Sequence, residues 1–258
     1  MIRTATPRDL PSLRDLFTRA NDAPYDLAAV AEEKCFGDGI AGAPVVRVVE
    51  RDGRVVGAAV RCGKWLRVLA VDRAFRRQGI GTALLKDANA TVIAAEPGNY
   101  FTPGVLDTQF FEKRGYRETA RTWNLIADTL PEPPQATIAT DRERALDFIE
   151  REFGRIWRFE AAKATTIFIE EHDGEIAGFA AHDANNRGLG FFGPTGVKKE
   201  LRGRGIGCRL LRASLSDLRR LGHQTAVIPW TGALEFYDRC CGAKPANQFV
   251  TLAIDSAP

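Results

Sequence analysis

The sequence lacks any apolar stretch of the length that a membrane-spanning helix requires. Its first residues, Met1–Pro7, lack the apolar core of a secretory signal. An excess of one charge is also missing, because 36 basic and 33 acidic residues leave a formal net charge of only +3. The small charge argues against nucleic acid and anionic membranes, which basic proteins attract through their overall field. We therefore expect a cytoplasmic protein that recognises any anion locally.

Cysteine and histidine are scarce and are not spaced as in a metal site. The five cysteines are Cys35, Cys62, Cys208, Cys240 and Cys241, without a C-x-x-C pair. The three histidines, His172, His182 and His223, show no ligand spacing relative to them. We predict no metal site and interpret the adjacent Cys240 and Cys241 as small packing residues.

An internal repeat divides the chain. Residues Arg76–Leu85 (RRQGIGTALL) match Arg202–Leu211 (RGRGIGCRLL), and their equivalent glycines, Gly79 and Gly205, are 126 positions apart. The length of 258 residues, with 45% hydrophobic content, also suits two cores of ordinary size. The sequence therefore predicts two copies of one structural unit.

A proline-rich segment, Leu130–Gln135, lies between the copies. Prolines lack a backbone donor and favour an extended chain, so we interpret this segment as a linker. It places an N-terminal domain at residues 1–130 and a C-terminal domain at residues 136–258. Upstream of each motif, an Asp-Gly turn joins two predicted strands, within Arg51–Ala59 and His172–Ala180.

Strands precede an amphipathic helix in each half, which predicts an α/β fold class with a mixed sheet rather than repeated parallel crossovers. In the first half we predict helices at Pro7–Ala20, at Tyr25–Cys35 and from Gly79, with strands at Val45–Glu50, Arg54–Arg61 and Trp65–Val71. In the second half we predict helices at Asp141–Phe153, Gly205–Leu221 and Ala233–Cys241, with strands at Thr165–Glu171, Glu175–His182, Leu189–Val197 and Thr225–Pro229. A last strand, Gln248–Ile254, is expected to close the sheet of the second half.

The repeated motif R-x-x-G-x-G follows a predicted strand and opens a predicted helix. The first amides of a helix have no partner within it, so the motif presents N–H donors to a phosphate. Glycine permits close approach of the ligand, and the neighbouring arginines add charged contacts. One match is weak evidence, whereas two in register are much stronger. A Rossmann dinucleotide site is disfavoured because meandering strands precede the motif.

With a later short helix that contains the pattern F-[FY]-[ED]-[KR], this order of elements resembles the GNAT acetyltransferase superfamily. The resemblance implies two tandem GNAT (acyl-CoA N-acyltransferase) domains that bind acetyl-CoA, with pyrophosphate at the loop and pantetheine along the preceding strand. The loops would be formed by Arg76, Arg77, Gln78, Gly79, Ile80, Gly81 and Thr82, and by Arg202, Gly203, Arg204, Gly205, Ile206, Gly207 and Cys208. The strand residues would be Leu69, Ala70 and Val71, and Thr195, Gly196 and Val197.

The resemblance also implies direct transfer of acetyl to a neutral amine, with a tyrosine protonating the leaving thiolate. Tyr237, in the short helix of the second copy, is the candidate general acid, and simple aromatic packing is the alternative interpretation. Phe111 occupies the matching position in the first copy and has no proton to give. We therefore expect the C-terminal domain to be catalytic. The N-terminal domain is expected either to be degenerate, binding acetyl-CoA without efficient turnover, or to use another proton donor.

A general base is less evident, because neither of these strands carries the glutamate that many relatives use. The candidates are His182, Asp183, Glu160 and Asp107. A solvated residue at a strand end is the simpler interpretation of His182. Deprotonation through water is a further option.

Several segments resemble a two-domain GNAT subgroup that includes bacterial glucosamine and glucosaminide N-acetyltransferases. These segments are Phe153–Glu160, Phe191–Val197, Trp230–Gly232 and Gly98–Val105. By their chemistry, Trp157 and Trp230 are candidates to stack on a sugar ring, and Glu160 or Asp183 to hold its hydroxyls or ammonium. The alternative is that both tryptophans are core residues.

Three functions follow from these patterns. The first is acetyl transfer to a small-molecule primary amine, with an amino sugar as the expected acceptor. The second is transfer to a protein or peptide amine or to an antibiotic. The third is a non-enzymatic acyl-CoA sensor, which the loss of the acid at Phe111 favours. The sequence does not predict the oligomeric state.

Overall fold

The computed structural model describes residues 1–134 and 136–254. Gln135, at the end of the predicted linker, and residues 255–258, at the end of the predicted second domain, lie outside the described residues. The chain divides into two compact units. The N-terminal unit contains Met1–Thr122 and the segment from Phe249 onward, and the C-terminal unit contains Trp123–Gln248.

Both units combine helices with β-strands. The helices are α1 (Leu10–Ala20), α2 (Ala31–Phe36), α3 (Ile80–Ala88), α4 (Gln109–Glu112), α5 (Arg142–Phe153), α6 (Arg155–Ala161), α7 (Ile206–Arg220) and α8 (Leu234–Cys241). The strands are β1 (Ile2–Thr4), β2 (Val45–Arg51), β3 (Arg54–Cys62), β4 (Trp65–Val71), β5 (Val92–Ile93), β6 (Arg117–Asp128), β7 (Thr137–Ile138), β8 (Thr166–His172), β9 (Glu175–His182), β10 (Phe192–Val197), β11 (Thr225–Thr231) and β12 (Lys244–Ala253).

In the N-terminal unit, β1 to β4 form an antiparallel meander, and β5 lies parallel to β4. Helix α3 packs closely on this sheet because β3 has a glycine beneath it. A Cβ at Gly57 would lie 2.7 Å from Ile80 and 3.0 Å from Leu84, two of the buried residues of the helix. On the apolar stripe of α1, Leu13, Leu16 and Phe17 are also fully buried.

In the C-terminal unit, β7 to β10 form an antiparallel sheet in chain order. β11 meets this sheet at a parallel bridge between Phe191 and Val227, and it also pairs with the second part of β6. Helix α7 buries Leu210, Leu215 and Leu218 against the sheet. Its long apolar stripe matches the periodicity seen in the sequence.

The last strand differs from its predicted place. Leu252 and Ala253 of β12 pair with Ile93 and Val92 of β5, so this part of β12 belongs to the N-terminal unit instead of closing the second half. Leu252 is fully buried and packs in the same core cluster as Ile93. An alternating apolar pattern predicts a strand but not its partner, so the unit limits differ from 1–130 and 136–258.

No described helix combines the length and the apolar character needed to cross a membrane. Within residues 1–134 and 136–254, no group of three or more His, Cys, Asp or Glu side chains is arranged to hold a metal ion.

Candidate active site

Strands β4 and β5 of the N-terminal unit separate shortly after they meet. They pair at Trp65–Val92 and at Leu66–Ile93. Beyond Ile93, Ala94 and Ala95 adopt left-handed φ angles of 56° and 55°, which residues other than glycine rarely adopt. The chain therefore turns away from β4, and an opening forms between the two strands.

A β-bulge on β4 lies at the same place. Val60 of β3 faces Val68, and the next residue, Arg61, faces Leu66, so Arg67 is the extra residue of the bulge. A second bulge lies in the C-terminal unit, between Phe192 and Thr195 of β10. The repeat seen in the sequence is therefore also a repeat of local backbone geometry.

A cavity of about 1040 Å³ fills the opening of the N-terminal unit. Its lining includes nearly all the cofactor residues predicted for the first copy, namely Leu69, Ala70, Val71, Arg76, Arg77, Gly79, Ile80, Gly81 and Thr82. Gln78 is not part of the lining, and its amide donates to the Ala74 carbonyl. The volume is at the upper end of the range for small-molecule sites.

The glycine loop of the N-terminal unit starts helix α3 at Gly79, which has φ 81° and so needs the freedom of glycine. A Cβ there would meet nothing within 4 Å, so the surface beside the loop is open. Arg76 ties the loop in place, because its guanidinium donates to the carbonyls of Val71 at 3.1 Å and Ala20 at 2.8 Å. Asp22 pairs with the same guanidinium at 2.7 Å.

The loop of the C-terminal unit repeats this geometry. Gly205 caps α7 with φ 79°, and Arg202 donates to the Val197 carbonyl at 3.2 Å, as Arg76 does to Val71. The surface beside this loop is occupied, because a Cβ on Gly205 would lie 2.9 Å from Nη1 of Arg209. Arg209 is also paired with Glu170.

Strand β10, where pantetheine was predicted to bind, is covered by an aromatic ring. A Cβ on Gly196 would lie 2.6 Å from the ring of Phe153, at the end of α5. The neighbouring Thr195 hydroxyl donates to the Phe179 carbonyl at 2.9 Å. In the first copy, the position of Gly196 is Ala70, which lines the cavity.

Tyr237 lies in α8 with only 9% of its surface exposed. Burial raises the pKa of its phenol to about 12, although the nearby side chain of Thr231 opposes this shift. Its ring packs edge-on against Phe192 and Phe236. These contacts suit a core aromatic residue, and the assignment of Tyr237 as general acid stays a prediction. The equivalent Phe111 is similarly buried, at 8%.

Cys208 and Cys240 are bonded to each other, with their Cα atoms 5.3 Å apart. The disulfide joins the first turn of α7 to α8, the helix of Tyr237. Cys240 is therefore more than a packing residue, and Cys208 belongs to this bond as well as to the predicted loop. Cys241 remains a free thiol.

The candidate bases lie in different surroundings. His182 is fully buried and its Nε2 lies 2.9 Å from Asp217, whose carboxylate also accepts a bond from Thr166. The interpretation of His182 as a solvated strand end is therefore wrong. Asp183 is 6% exposed and accepts the amide of Gly188 at 3.0 Å. Asp107 alone of the candidates lines the cavity, and it accepts the amide of Gln109.

The predicted substrate residues have different environments. Trp157 stacks on Phe153 at 5.2 Å between ring centroids and meets Phe179 edge-on. Glu160 is buried in the same helix, α6. Trp230 is 40% exposed on β11, and its amide donates to Asn124. The role of all three as sugar contacts stays a prediction.

Sequence reasoning missed a buried polar cluster beside the cavity, formed by Lys34, Arg67, Glu96 and Asn99. Arg67 pairs with Glu96 through two hydrogen bonds, at 2.6 and 2.9 Å. The available signal was the charged residue inside the apolar strand Trp65–Val71. A charge in such a run has to find a buried partner.

Two family models match the chain. Residues 42–118 match a model described as an acetyltransferase (GNAT) domain, and residues 124–243 match a model of the acetyltransferase (GNAT) family. The chain therefore belongs to the GNAT acetyltransferases and carries two GNAT domains in tandem. This confirms the predicted family and fold class, and acetyl transfer from an acyl-CoA is the activity typical of the fold.

Solved structures support the tandem arrangement. The chain is similar to the GCN5-related glucosamine N-acetyltransferase region of a fungal multi-domain beta-N-acetylglucosaminidase, with a TM-score of 0.72 and 17% identity over 98% of this chain. It spans only 38% of that protein. A GCN5-related N-acetyltransferase from Sphaerobacter thermophilus aligns with a TM-score of 0.67 and 21% identity, covering 98% of this chain and 94% of that one.

A tandem GNAT protein from the clavulanic acid biosynthesis pathway aligns with a TM-score of 0.69 and 18% identity, over 100% of this chain and 99% of that one. Identities this low establish the shared fold alone. No curated protein matches the chain.

Proposed function

We propose that the protein transfers the acetyl group of acetyl-CoA to a primary amine of a small molecule, and that the cofactor occupies the cavity of the N-terminal unit. The observation that carries this proposal is the cavity itself, which runs from the open side of β4 to the amides at Gly79–Thr82. Those amides begin helix α3 and are suited to a pyrophosphate.

The lining fits coenzyme A in charge as well as in size. Five cationic side chains border the cavity: Arg67, which is paired with Glu96, and Arg76, Arg77, Lys113 and Arg114. Much of the remaining lining is apolar, including Leu66, Phe101, Phe110 and Phe249. Phosphates would lie at the cationic end, and the pantetheine arm would run along β4 towards Leu66. When bound, acetyl-CoA supplies the activated thioester.

The chain's own groups would orient the amine and move protons. Asp107 borders the cavity, and within the described residues it has no cationic partner. Its carboxylate would bind the acceptor's ammonium group and take up a proton, either directly or through water. Phe111 cannot protonate the thiolate, so that proton would come from water or from the acceptor.

A second proposal places turnover in the C-terminal unit, where Tyr237 would protonate the thiolate. The tyrosine hydroxyl and the matching glycine loop support it. The Phe153 ring over β10 and the Arg209 side chain beside the loop count against it, since both would have to move. An amino-sugar acceptor is supported by the likeness to the fungal glucosamine N-acetyltransferase region. Trp157 and Trp230 would belong to that acceptor site.

The test compares two matched glycines. Gly79→Glu and Gly205→Glu each place a carboxylate at a left-handed helix cap, with φ 81° and 79°. We expect Gly79→Glu to weaken coenzyme A binding in calorimetry by about two orders of magnitude, and Gly205→Glu to leave it near wild type. The reverse result would place the cofactor in the C-terminal unit.

Thiol release with a panel of amino sugars, other small amines, aminoglycoside antibiotics and peptides then ranks the acceptors. Binding without turnover would indicate a sensor.

A further inference from the structure

The buried polar cluster of the N-terminal unit joins three elements that border the cavity. Its members, Lys34 in α2, Arg67 at the β4 bulge, and Glu96 and Asn99 in the segment after β5, are each no more than 3% exposed. Burying charged groups costs several kcal/mol per ion unless each is paired and hydrogen-bonded. Such a cluster is therefore costly, and its position needs a reason.

Arg67 makes the central contacts. Nε and Nη2 bond to the two oxygens of Glu96, while Nη1 donates to the carbonyls of Lys34 at 2.8 Å and Gly37 at 2.9 Å. Those carbonyls lie at the end of α2, where the helix has no further amides to bond them. One guanidinium thus fixes the bulge of β4 relative to both α2 and the chain that leaves β5.

The segment after β5 is held a second time. The Lys34 ammonium donates to Asn99 Oδ1 at 3.0 Å and to the Tyr100 carbonyl at 2.9 Å. The Asn99 amide donates to the carbonyls of Gly37 and Asp38. This segment starts at the left-handed pair Ala94–Ala95, a backbone arrangement that persists only when its surroundings hold it.

The C-terminal unit shows that the fold does not need the pair. Its strand β10 carries a bulge too, and the position equivalent to Arg67 is Gly193. Beyond the bridge at Val227, Trp230 adopts a left-handed φ of 49°, as Ala95 does. The bulge therefore forms with glycine in place of arginine. In the N-terminal unit, the arginine at this position borders the cavity along β4.

We propose that Arg67 and Glu96 are positioning residues that set the distance between β4 and the chain after β5, and so fix the backbone of Val68–Val71 against the thioester end of the cofactor. This inference rests on the proposed function. The phosphate end lies at a different element, the start of α3, and does not depend on the pair. Loss of the pair should therefore lower kcat while leaving the affinity for coenzyme A nearly unchanged.

The test uses the double variant Arg67→Met/Glu96→Leu, because apolar replacement of a buried ion pair is often neutral or stabilising. Glu96→Gln alone serves as the second variant, since it leaves the guanidinium unpaired. We expect the double variant to stay folded, with a melting temperature below wild type because the Lys34 carbonyl loses its bond from Arg67. Its coenzyme A Kd should stay within about threefold, with kcat lowered at least tenfold. In Glu96→Gln, both stability and kcat should fall.

Amide hydrogen exchange of Val68–Val71 provides a readout that needs no turnover. We expect at least tenfold faster exchange in the double variant, while the amides of α7 in the other unit serve as an internal control. Unchanged exchange together with unchanged kcat would show that the pair is only structural. If the wild type neither binds coenzyme A nor turns over, the proposed function fails, and the exchange result still decides whether the pair positions β4.

Discussion

Arg114, two residues after the end of α4, donates a hydrogen bond from Nη2 to the Thr82 hydroxyl at 2.6 Å and so joins the end of α4 to the first turn of α3. The residues 126 positions further along are Cys240 and Cys208, which form the disulfide between α8 and α7. The two units therefore fix the same pair of helices by different bonds. In each unit the first helix carries the glycine loop, and the second carries the aromatic residue at position 111 or 237. In each unit, this bond fixes the position of the glycine loop relative to the aromatic residue.

The disulfide predicts a measurable stabilisation. Cys208 and Cys240 are 32 residues apart, and closing a loop of that length lowers the entropy of the unfolded chain by an amount worth about 3 to 4 kcal/mol. We expect Cys240→Ser, or reduction of the wild type, to lower the free energy of unfolding of the C-terminal unit by about this amount. The change is measured as a lower midpoint in urea unfolding. Cys241→Ser is the matched control and should change little.

Thiol counting checks the bond directly. In denaturant without reductant, a thiol reagent should label the three free cysteines, Cys35, Cys62 and Cys241, and after reduction it should label all five. Five reactive thiols in the unreduced protein would contradict the bond.

Tyr237→Phe separates the two units as sites of turnover. If the cofactor reacts in the N-terminal cavity, the variant should keep kcat within about twofold of wild type. Its stability should change by no more than about 1 kcal/mol, because the ring keeps its contacts with Phe192 and Phe236. A fall in kcat of tenfold or more, with unchanged coenzyme A affinity, would instead assign the general acid to Tyr237. Steady-state kinetics and urea unfolding give both numbers.

His182 predicts that the C-terminal unit loses stability in mild acid. Burial lowers the pKa of His182 below its ordinary value of 6.5, and the hydrogen bond to Asp217 only partly offsets this. Below pH 6.5 the unfolded chain therefore binds a proton that the folded chain does not, so stability falls as the pH is lowered. The slope is at most about 1.4 kcal/mol per pH unit.

The Asp217 carboxylate affects the folding stability at lower pH than His182 does. Burial alone would raise its pKa, but bonds from Arg220, Thr166 and His182 lower it below 3.8, so its contribution is lost only as the pH falls further. Urea unfolding at pH 7.5 and 5.0 should show a smaller difference in His182→Gln than in wild type. The exposed His172→Gln serves as the control and should retain the full difference. Equal pH dependence in wild type and His182→Gln would contradict the assignment.

Local patterns in the sequence predicted the elements that depend on local physics. Trp65–Val71 and Glu175–His182 are strands with the predicted limits, and both glycine loops begin helices. The partner of β12 could not be predicted, because alternation reports which side of a strand is buried and not which strand lies beside it. The Arg67–Glu96 and Cys208–Cys240 pairs join residues 29 and 32 positions apart. No short-range spacing predicts such contacts.

The sequence did not predict that the N-terminal glycine loop is open while the C-terminal loop is covered, because this difference depends on residues outside the repeated motif. Helix α1 ends in Ala20, which lines the cavity, whereas α5 ends in Phe153, whose ring covers Gly196. Neither residue belongs to the match between Arg76–Leu85 and Arg202–Leu211. A motif can therefore be kept while the space beside it is filled.

The contact between Phe153 and Gly196 can be measured as a coupling energy. Gly196→Ala places a methyl group 2.6 Å from the ring, and such overpacking typically costs 1 to 3 kcal/mol. Phe153→Ala removes a ring that also stacks on Trp157 and should cost roughly 3 kcal/mol. In the double variant the new methyl enters vacated space, so the cost of Gly196→Ala should largely disappear. Urea unfolding of the four proteins should therefore yield a coupling of about 1 kcal/mol or more. Strictly additive losses would mean that Phe153 does not lie on β10, and the main argument against a cofactor in the C-terminal unit would fail with it.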